Sequence, residues 1–211
     1  MKLTIFGATG PTGVEMVTQA IAADHQVIAV ARRPDAVTLS DPCLDVVPAD
    51  VMDVPLPRAA FEGSDVVLSA LGSRDLKGPT TVYSVGTTAI LDGMQRTGVR
   101  RFVGVSAAPV APSAERSALD RTLVHPLLWR FFGGGYADMA AMERLLVDSG
   151  ADWTVFRPPR LTNGLATGKY RTAVGRPLAH CWNLRRADLA TAMLASVADR
   201  SLHDKAVAIA N

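Results

Sequence analysis

Short apolar runs alternate along this chain with longer segments in which apolar positions recur at helical spacing. The runs Lys2–Phe6, Gln26–Ala31 and Arg101–Val105, with those at 44–47, 65–70, 153–156 and 206–209, read as strands. Over 79–97 the positions Val82, Val85, Ala89, Ile90 and Met94 fall on one helical face, and Gly98 stands where such a helix would stop. Helices are also predicted over 11–23, 138–149 and 186–198, with a short one near 57–61. The stretch from 106 to about 135 shows no such period and is predicted to be irregular.

The first strand runs straight into Gly7-Ala8-Thr9-Gly10-Pro11-Thr12-Gly13, which then opens a helix. This is the pattern of a pyrophosphate cradle. Gly7 permits the tight turn, Gly10 lets backbone approach a diphosphate with no Cβ in the way, and Gly13 lets the helix pack close to the strand. The exposed N–H groups of the helix start, in the segment that holds Thr9, Pro11 (itself without an N–H) and Thr12, and the positive end of its dipole then face the anion. A second strand arrives at the spacing expected of a dinucleotide fold. At its end, where an NAD site usually carries Asp or Glu, stand Arg32 and Arg33. Two guanidiniums suit a 2′-phosphate, and the sequence places no carboxylate beside them, so NADP(H) is expected over NAD(H), with Arg32 as the main partner.

Strand and helix in this alternation predict an α/β protein with a single Rossmann domain over 1–211. Its sheet is expected to be parallel and doubly wound in the order 3-2-1-4-5-6, with helices on both faces. Ligands bind such sheets beyond the carboxyl ends of the strands, so the loops beginning at Gly7, Arg32, Asp50, Leu71, Ser106 and Pro158 should carry the chemistry. Segments at about 106–137 and 158–185 are expected to form a substrate-side lobe.

Composition bounds the function. The 211 residues are 48% hydrophobic and 20% charged, ordinary for one globular domain. A formal net charge of +2 is too small to argue for nucleic acid or an anionic membrane, which leaves the arginines as a local anion site. The expected partner is a small-molecule acceptor, and the expected state a monomer or weak homo-oligomer. Cys43 and Cys181 lack metal-ligand spacing, and His180 beside Cys181 would point away from it, so the thiols read as free and buried, in a reducing compartment and without metal. The first strand begins at residue 2 and no apolar run approaches the roughly 20 residues of a membrane span. A cytoplasmic protein is expected.

Asp50-Val51 follow the third strand, where a carboxylate accepts adenine amino hydrogens while a valine packs on the ring; a turn or helix-capping aspartate is the alternative. Gly72, within Leu71-Gly72-Ser73-Arg74, would let backbone pass close to a nicotinamide ribose. Ser106 ends the fifth strand, above the place of a nicotinamide. Short-chain dehydrogenases place a serine there, together with a Tyr-x-x-x-Lys couple whose lysine lowers the tyrosine pKa. This chain lacks the couple: Thr87, Ala140 and Val174 stand four residues after Tyr83, Tyr136 and Tyr170. Ser106 therefore reads as a group that positions cofactor or substrate, or as a strand-end serine bonding local backbone. Residues 125–132, His-Pro-Leu-Leu-Trp-Arg-Phe-Phe, precede Gly133-Gly134-Gly135. They are either a platform or lid for a planar acceptor on a glycine hinge, or an amphipathic helix with its rings in the core. His125 is read as structural.

The glycine turn, Leu71-Gly72-Ser73-Arg74 continuing to Pro79-Thr80-Thr81-Val82, the strand ending at Ser106, and Arg157-Pro158-Pro159-Arg160 with Thr167-Gly168-Lys169-Tyr170 together resemble the biliverdin reductase B family. That family, also called flavin reductase (NADPH), lies among the NmrA-like atypical short-chain dehydrogenases. The resemblance runs over almost the whole chain in consistent order. It implies a single Rossmann domain, NADPH as hydride donor, and flavins or linear tetrapyrroles as acceptors. It implies cofactor contacts at the glycine turn, Arg32, Asp50, Val51, Leu71, Gly72, Ser106 and Pro159, and an active-site serine matching Ser106. The family's histidine after the proline pair is replaced by Arg160, a permanent charge that cannot donate a proton but can clamp an anionic substrate or pair with a nearby acid. Ser106 and Arg160 are thus the candidate active-site residues. The expected function is NADPH-dependent reduction of a flavin, tetrapyrrole or quinone; the alternative is a non-catalytic NADP(H)-binding redox sensor or regulator of NmrA type.

Overall fold

The apolar runs pair edge to edge in the computed structural model. Strands β1 (Lys2–Phe6), β2 (Gln26–Ala31), β3 (Leu44–Pro48), β4 (Val66–Ser69), β5 (Arg101–Val105) and β6 (Asp152–Arg157) lie parallel in the order β3-β2-β1-β4-β5-β6. The structure describes residues 1–73, 78–115, 122–123, 125–176, 178 and 181–211. Arg74 and His180, and residues 116–121 of the expected substrate-side lobe, lie outside the described residues.

Burial on both faces explains why the central strands carry so little polar alternation. Helices α1 (Pro11–Ala22) and α4 (Arg186–Ala195) bring Met16, Val17, Leu189 and Met193 onto Leu3, Ile5, Val27 and Leu68 on one face. Helices α2 (Val82–Thr97) and α3 (His125–Asp148) bring Ile90, Met94, Met142 and Leu146 onto Phe6, Ile28, Val67 and Val155 on the other. Gly98 ends α2 in the left-handed region at φ 78°, as its position predicts.

Four further strands follow: β7 (Arg160–Thr162), β8 (Arg171–Val174), β9 (Asn183–Arg185) and β10 (Lys205–Ala210). β10 continues the parallel sheet beside β6, but β8 closes that edge antiparallel to β10, where an all-parallel sheet was expected. Only Ala173 of β8 is buried, so its sequence carries no apolar run to announce it. β7 and β9 form a separate parallel pair of three residues each, too short for any period to show.

The main correction concerns α3. It begins at His125 and carries Gly133-Gly134-Gly135 inside the helix, so there is no glycine hinge. Glycine is a poor helix former, and here packing overrides that preference. A Cβ at Gly134 would sit 2.8 Å from the carbonyl oxygen of Gly78 and 3.0 Å from Cα of Pro79, so α3 lies on that segment only because the side chain is absent. In return α3 starts α2. The Asp138 carboxylate accepts the amides of Tyr83 at 2.9 Å and Ser84 at 3.2 Å and also the Ser84 hydroxyl. Thr81, the local cap residue, makes no side-chain capping bond. This cap from a distant residue accounts for a helix that starts at Val82 rather than 79.

Asp188, wholly buried in the first turn of α4, holds the segment between β7 and β8. It accepts the amide and hydroxyl of Thr167 at 2.7 and 2.8 Å, the amide of Gly168 at 2.9 Å and the Asn211 side chain at 3.2 Å. Burial pushes its carboxyl up, but the hydrogen bonds outweigh it and hold the pKa below the usual carboxylate range. A folded-state pKa below the unfolded value contributes stability that is present above about pH 4 and is lost as pH falls through the lowered value. Urea midpoints measured between neutral and acid pH should therefore fall less steeply for Asp188→Asn than for the wild type, the variant being less stable at neutral pH. Parallel curves would assign the acid sensitivity elsewhere.

Candidate functional site

A cleft of about 1470 Å³ opens across the carboxyl ends of the parallel strands. One small ligand fills roughly 300 to 1000 Å³, so this cleft has room for a dinucleotide and a second molecule. At its centre the β1–α1 turn is tightened by an amide of Gly10 bonded to the Gly7 carbonyl at 2.9 Å. Gly7 has φ 74°, and a Cβ on it would lie 2.5 Å from the Ala70 carbonyl oxygen. A Cβ on Gly13 would lie 2.1 Å from the Gly7 oxygen. Gly7, Thr9, Gly10, Pro11 and Thr12 line the cleft; Gly13 does not, and serves the packing beneath the turn. α1 starts with Gly10 and Pro11 and no side-chain cap, which leaves its first-turn N–H groups for an anion.

Arg32 and Arg33 also line the cleft. The fold brings a carboxylate to them after all: Asp50, at the end of the adjacent strand β3, lies 3.6 Å from the Arg32 guanidinium. The same carboxylate accepts the Met52 amide at 3.0 Å, so Asp50 is a turn aspartate that also faces the cleft. Arg33 is exposed and has no side-chain partner among the described residues. Val51 and Leu71 fill the space left by Gly86 of α2, where a Cβ would come within 3.0 and 2.8 Å of them. Gly72 and Ser73 line the cleft; a Cβ on Gly72 would meet no protein atom, and the Ser73 amide donates to the Tyr83 hydroxyl at 3.2 Å.

The other half of the cleft is built on β5, β6 and α3. Ser106 is 3% exposed; its amide donates to the Phe156 carbonyl at 2.8 Å, but its hydroxyl has no partner among the described residues. The reading in which that hydroxyl bonds local backbone is thereby set aside. Leaving such a group unsatisfied costs about 1–3 kcal/mol, which a ligand in the cleft would relieve. Pro159 and Arg160 line the same half, and the exposed Arg160 guanidinium makes no hydrogen bond or ion pair with any described residue. The aromatic run is helical, yet its rings do not enter the core. Leu128, Phe132, Tyr136 and Met139 face the cleft, Phe131 is 52% exposed, and Trp129 donates to the Pro109 carbonyl at 3.0 Å and packs between His125 and Tyr136.

Several residues at the cleft escaped the sequence reading. Burial raises the pKa of Tyr83, with the Asp138 charge adding to it and the Ser73 amide opposing, and it raises that of Tyr136, with Tyr83 adding. Both phenols stay protonated. Under the cleft floor Arg157 and Glu143 form a two-pronged ion pair at 3.0 and 2.6 Å, with side chains only 8% and 12% exposed. Leu178, Cys181, Trp182, Arg176 and Arg186 complete the acceptor side. The first four come from the segment between β8 and β9, which has no periodic signal, and Arg186 opens α4. The thiols are not buried as expected: Cys43 is exposed and Cys181 half-buried. Among the described residues no three His, Cys, Asp or Glu side chains cluster as metal ligands, and no helix is long and apolar enough to cross a membrane.

Comparison with known proteins agrees with this geometry. An uncharacterised chloroplastic protein of Arabidopsis thaliana is 32% identical over 175 residues, 79% of this chain and 61% of its own length. A Schizosaccharomyces pombe protein is 27% identical over 66% of this chain and 59% of its own, so the chain spans about three fifths of these curated relatives. Among solved structures, a Streptococcus pneumoniae protein described as an NADH-flavin reductase superposes with a TM-score of 0.81 at 20% identity, covering 100% of this chain and 99% of its own. The model of the NAD(P)H-binding family matches residues 7–200. Because that match takes in the glycine turn, the β2 arginines and Ser106, the chain belongs to the NAD(P)H-binding family.

Proposed function

We propose that this protein is an NADPH-dependent reductase that passes hydride to a planar conjugated acceptor, a flavin first of all, with quinones and linear tetrapyrroles in the same class. One observation carries the reading: a dinucleotide cradle and an aromatic-walled space share one cleft, and the partnerless Ser106 hydroxyl lies in its buried wall. The resemblance to the biliverdin reductase B family supports it, and so does the description of the Streptococcus pneumoniae neighbour.

The residues present fit a bound nicotinamide dinucleotide, since a Cβ at Gly7 or Gly13 would strike the backbone that shapes the turn, and the start of α1 carries no side-chain cap. Gly7, Thr9, Gly10, Pro11 and Thr12 would hold the pyrophosphate, Arg32 and Arg33 the 2′-phosphate, and Asp50 and Val51 the adenine. Leu71, Gly72, Ser73 and Pro159 would flank the nicotinamide half. When bound, the nicotinamide supplies the hydride. The chain supplies proximity and orientation: Ser106 hydrogen-bonds the reacting pair, while Leu128, Phe132 and Tyr136 exclude water and stack on the acceptor. Tyr83 and Tyr136 remain neutral donors, Arg160 cannot release a proton, and the proton comes from water.

NADPH should bind at least about tenfold tighter than NADH, since one charge-assisted hydrogen bond is worth roughly 1.5–3 kcal/mol. Arg32→Ala should remove most of that preference, and Asp50→Asn, which frees the Arg32 guanidinium, should widen it. Equal affinities in the wild type, from titration of tryptophan fluorescence, would refute the 2′-phosphate assignment.

With NADPH saturating, oxidation should be measurable with flavins or quinones and absent with simple secondary alcohols run in reverse. Tight NADPH binding with no turnover on any of these acceptors would instead establish the non-catalytic sensor.

Ser106→Ala removes a buried hydroxyl that has no protein partner, so the ligand-free variant should melt at or above the wild-type temperature. Its flavin turnover should nevertheless fall, by about tenfold or more if the hydroxyl bonds the reacting pair. A variant that loses stability and keeps its turnover would make Ser106 a structural residue.

A further inference from the structure

The charges around the acceptor half of the cleft are one-sided. Arg160 stands at the start of β7, Arg186 directly after β9, and Arg176 after β8, and all three line the cleft. The Arg160 and Arg176 guanidiniums are exposed and make no hydrogen bond or ion pair with any described residue, while among the described residues the Arg186 guanidinium donates only to the neutral Asn163 side chain at 2.7 Å. Among the described lining residues the one other guanidinium on this side, Arg157, is already matched by Glu143. Among the described lining residues Asp50 is the sole carboxylate, and it sits beside Arg32.

These arginines are not spare partners for the 2′-phosphate. From β2, which leads into Arg32, to β6, which leads towards Arg160, the sheet order takes four inter-strand steps, about 19 Å at the usual spacing. The short pair β7–β9 holds its cations on its own frame: Arg160 registers with Asn183, and Thr162 with Arg185 beside Arg186. Trp182, 65% exposed, precedes Asn183 on that frame and also lines the cleft, across from the apolar stripe of α3. Uncompensated guanidiniums on low-dielectric walls focus a positive potential and pair with carboxylate or phosphate oxygens.

Resting on the reductase reading, we infer that Arg160, Arg176 and Arg186 form a second anion site, and that the acceptor is a planar conjugated molecule carrying a phosphate or carboxylate tail. The ring system lies against Leu128, Phe132 and Tyr136, and the acidic tail meets the arginines. Because Arg160 and Arg176 are exposed, salt screens the contact.

The test uses the full-length protein saturated with NADP+, so that no turnover occurs, and two matched pairs of acceptors. FMN is compared with riboflavin, and a linear tetrapyrrole dicarboxylate with its dimethyl ester, by fluorescence titration. The anionic member of each pair should bind at least about tenfold tighter at low salt, and the gap should shrink as ionic strength rises from about 20 mM to about 500 mM. Arg160→Gln and Arg176→Gln should each weaken the anionic member alone, with NADPH affinity as the check that the fold is intact. Equal binding within each pair, or a gap untouched by both variants, overturns the anion site and leaves the reductase reading standing. No binding of any of the four compounds overturns the reductase reading and the anion site with it.

Discussion

Three pieces of backbone meet at the β1–α1 turn more closely than any side chain would allow. The Gly7 carbonyl, the start of α1 at Gly13, and the carbonyl of Ala70 occupy positions where a Cβ on either glycine would lie 2.1–2.5 Å from an oxygen. That approach fixes where α1 begins relative to the sheet and so where its uncapped N–H groups point. The positions of Leu71 and Gly72 follow from it, because Ala70 is tied to Phe6 by a 3.0 Å backbone bond. The dinucleotide half of the cleft is thus the by-product of a steric limit rather than of a set of directed side chains.

The acceptor half rests on a different device. Asp138 of α3 caps α2, and Gly134 lets α3 lie on the segment at Gly78 and Pro79. Together they set the height at which Phe132 and Tyr136 cross the cleft. The same two turns of helix serve both as the fastening and as the wall.

The sequence disclosed the sheet from β1 to β6 because each strand is an apolar run, and all but the edge strand β3 are buried between helices. It disclosed the cradle because glycine is the only residue that fits there. It did not disclose α3 before residue 138, since three consecutive glycines argue locally against a helix that only a tertiary contact can sustain. Nor could it show Asp50 beside Arg32: the two follow the ends of neighbouring strands, and no local pattern records that adjacency. β7, β8 and β9 stayed hidden because runs of three or four residues, with only Ala173 and Leu184 buried among them, carry no period. Arg160 and Ser106 were legible as positions through the loops they occupy, whereas the partnerless state of the Ser106 hydroxyl needed the surrounding atoms.

The buried Arg157–Glu143 pair has a consequence for how this cleft can change. A matched pair in a poorly hydrated floor contributes little net field above it, and exchanging both members for apolar residues of similar volume is often neutral. Losing one member alone strands a charge and costs about 3–5 kcal/mol. The foundation and the rim of the cleft are therefore electrically independent. Selection, or an engineer, can rewrite which molecules the rim attracts while the foundation keeps the same atoms and the same fold.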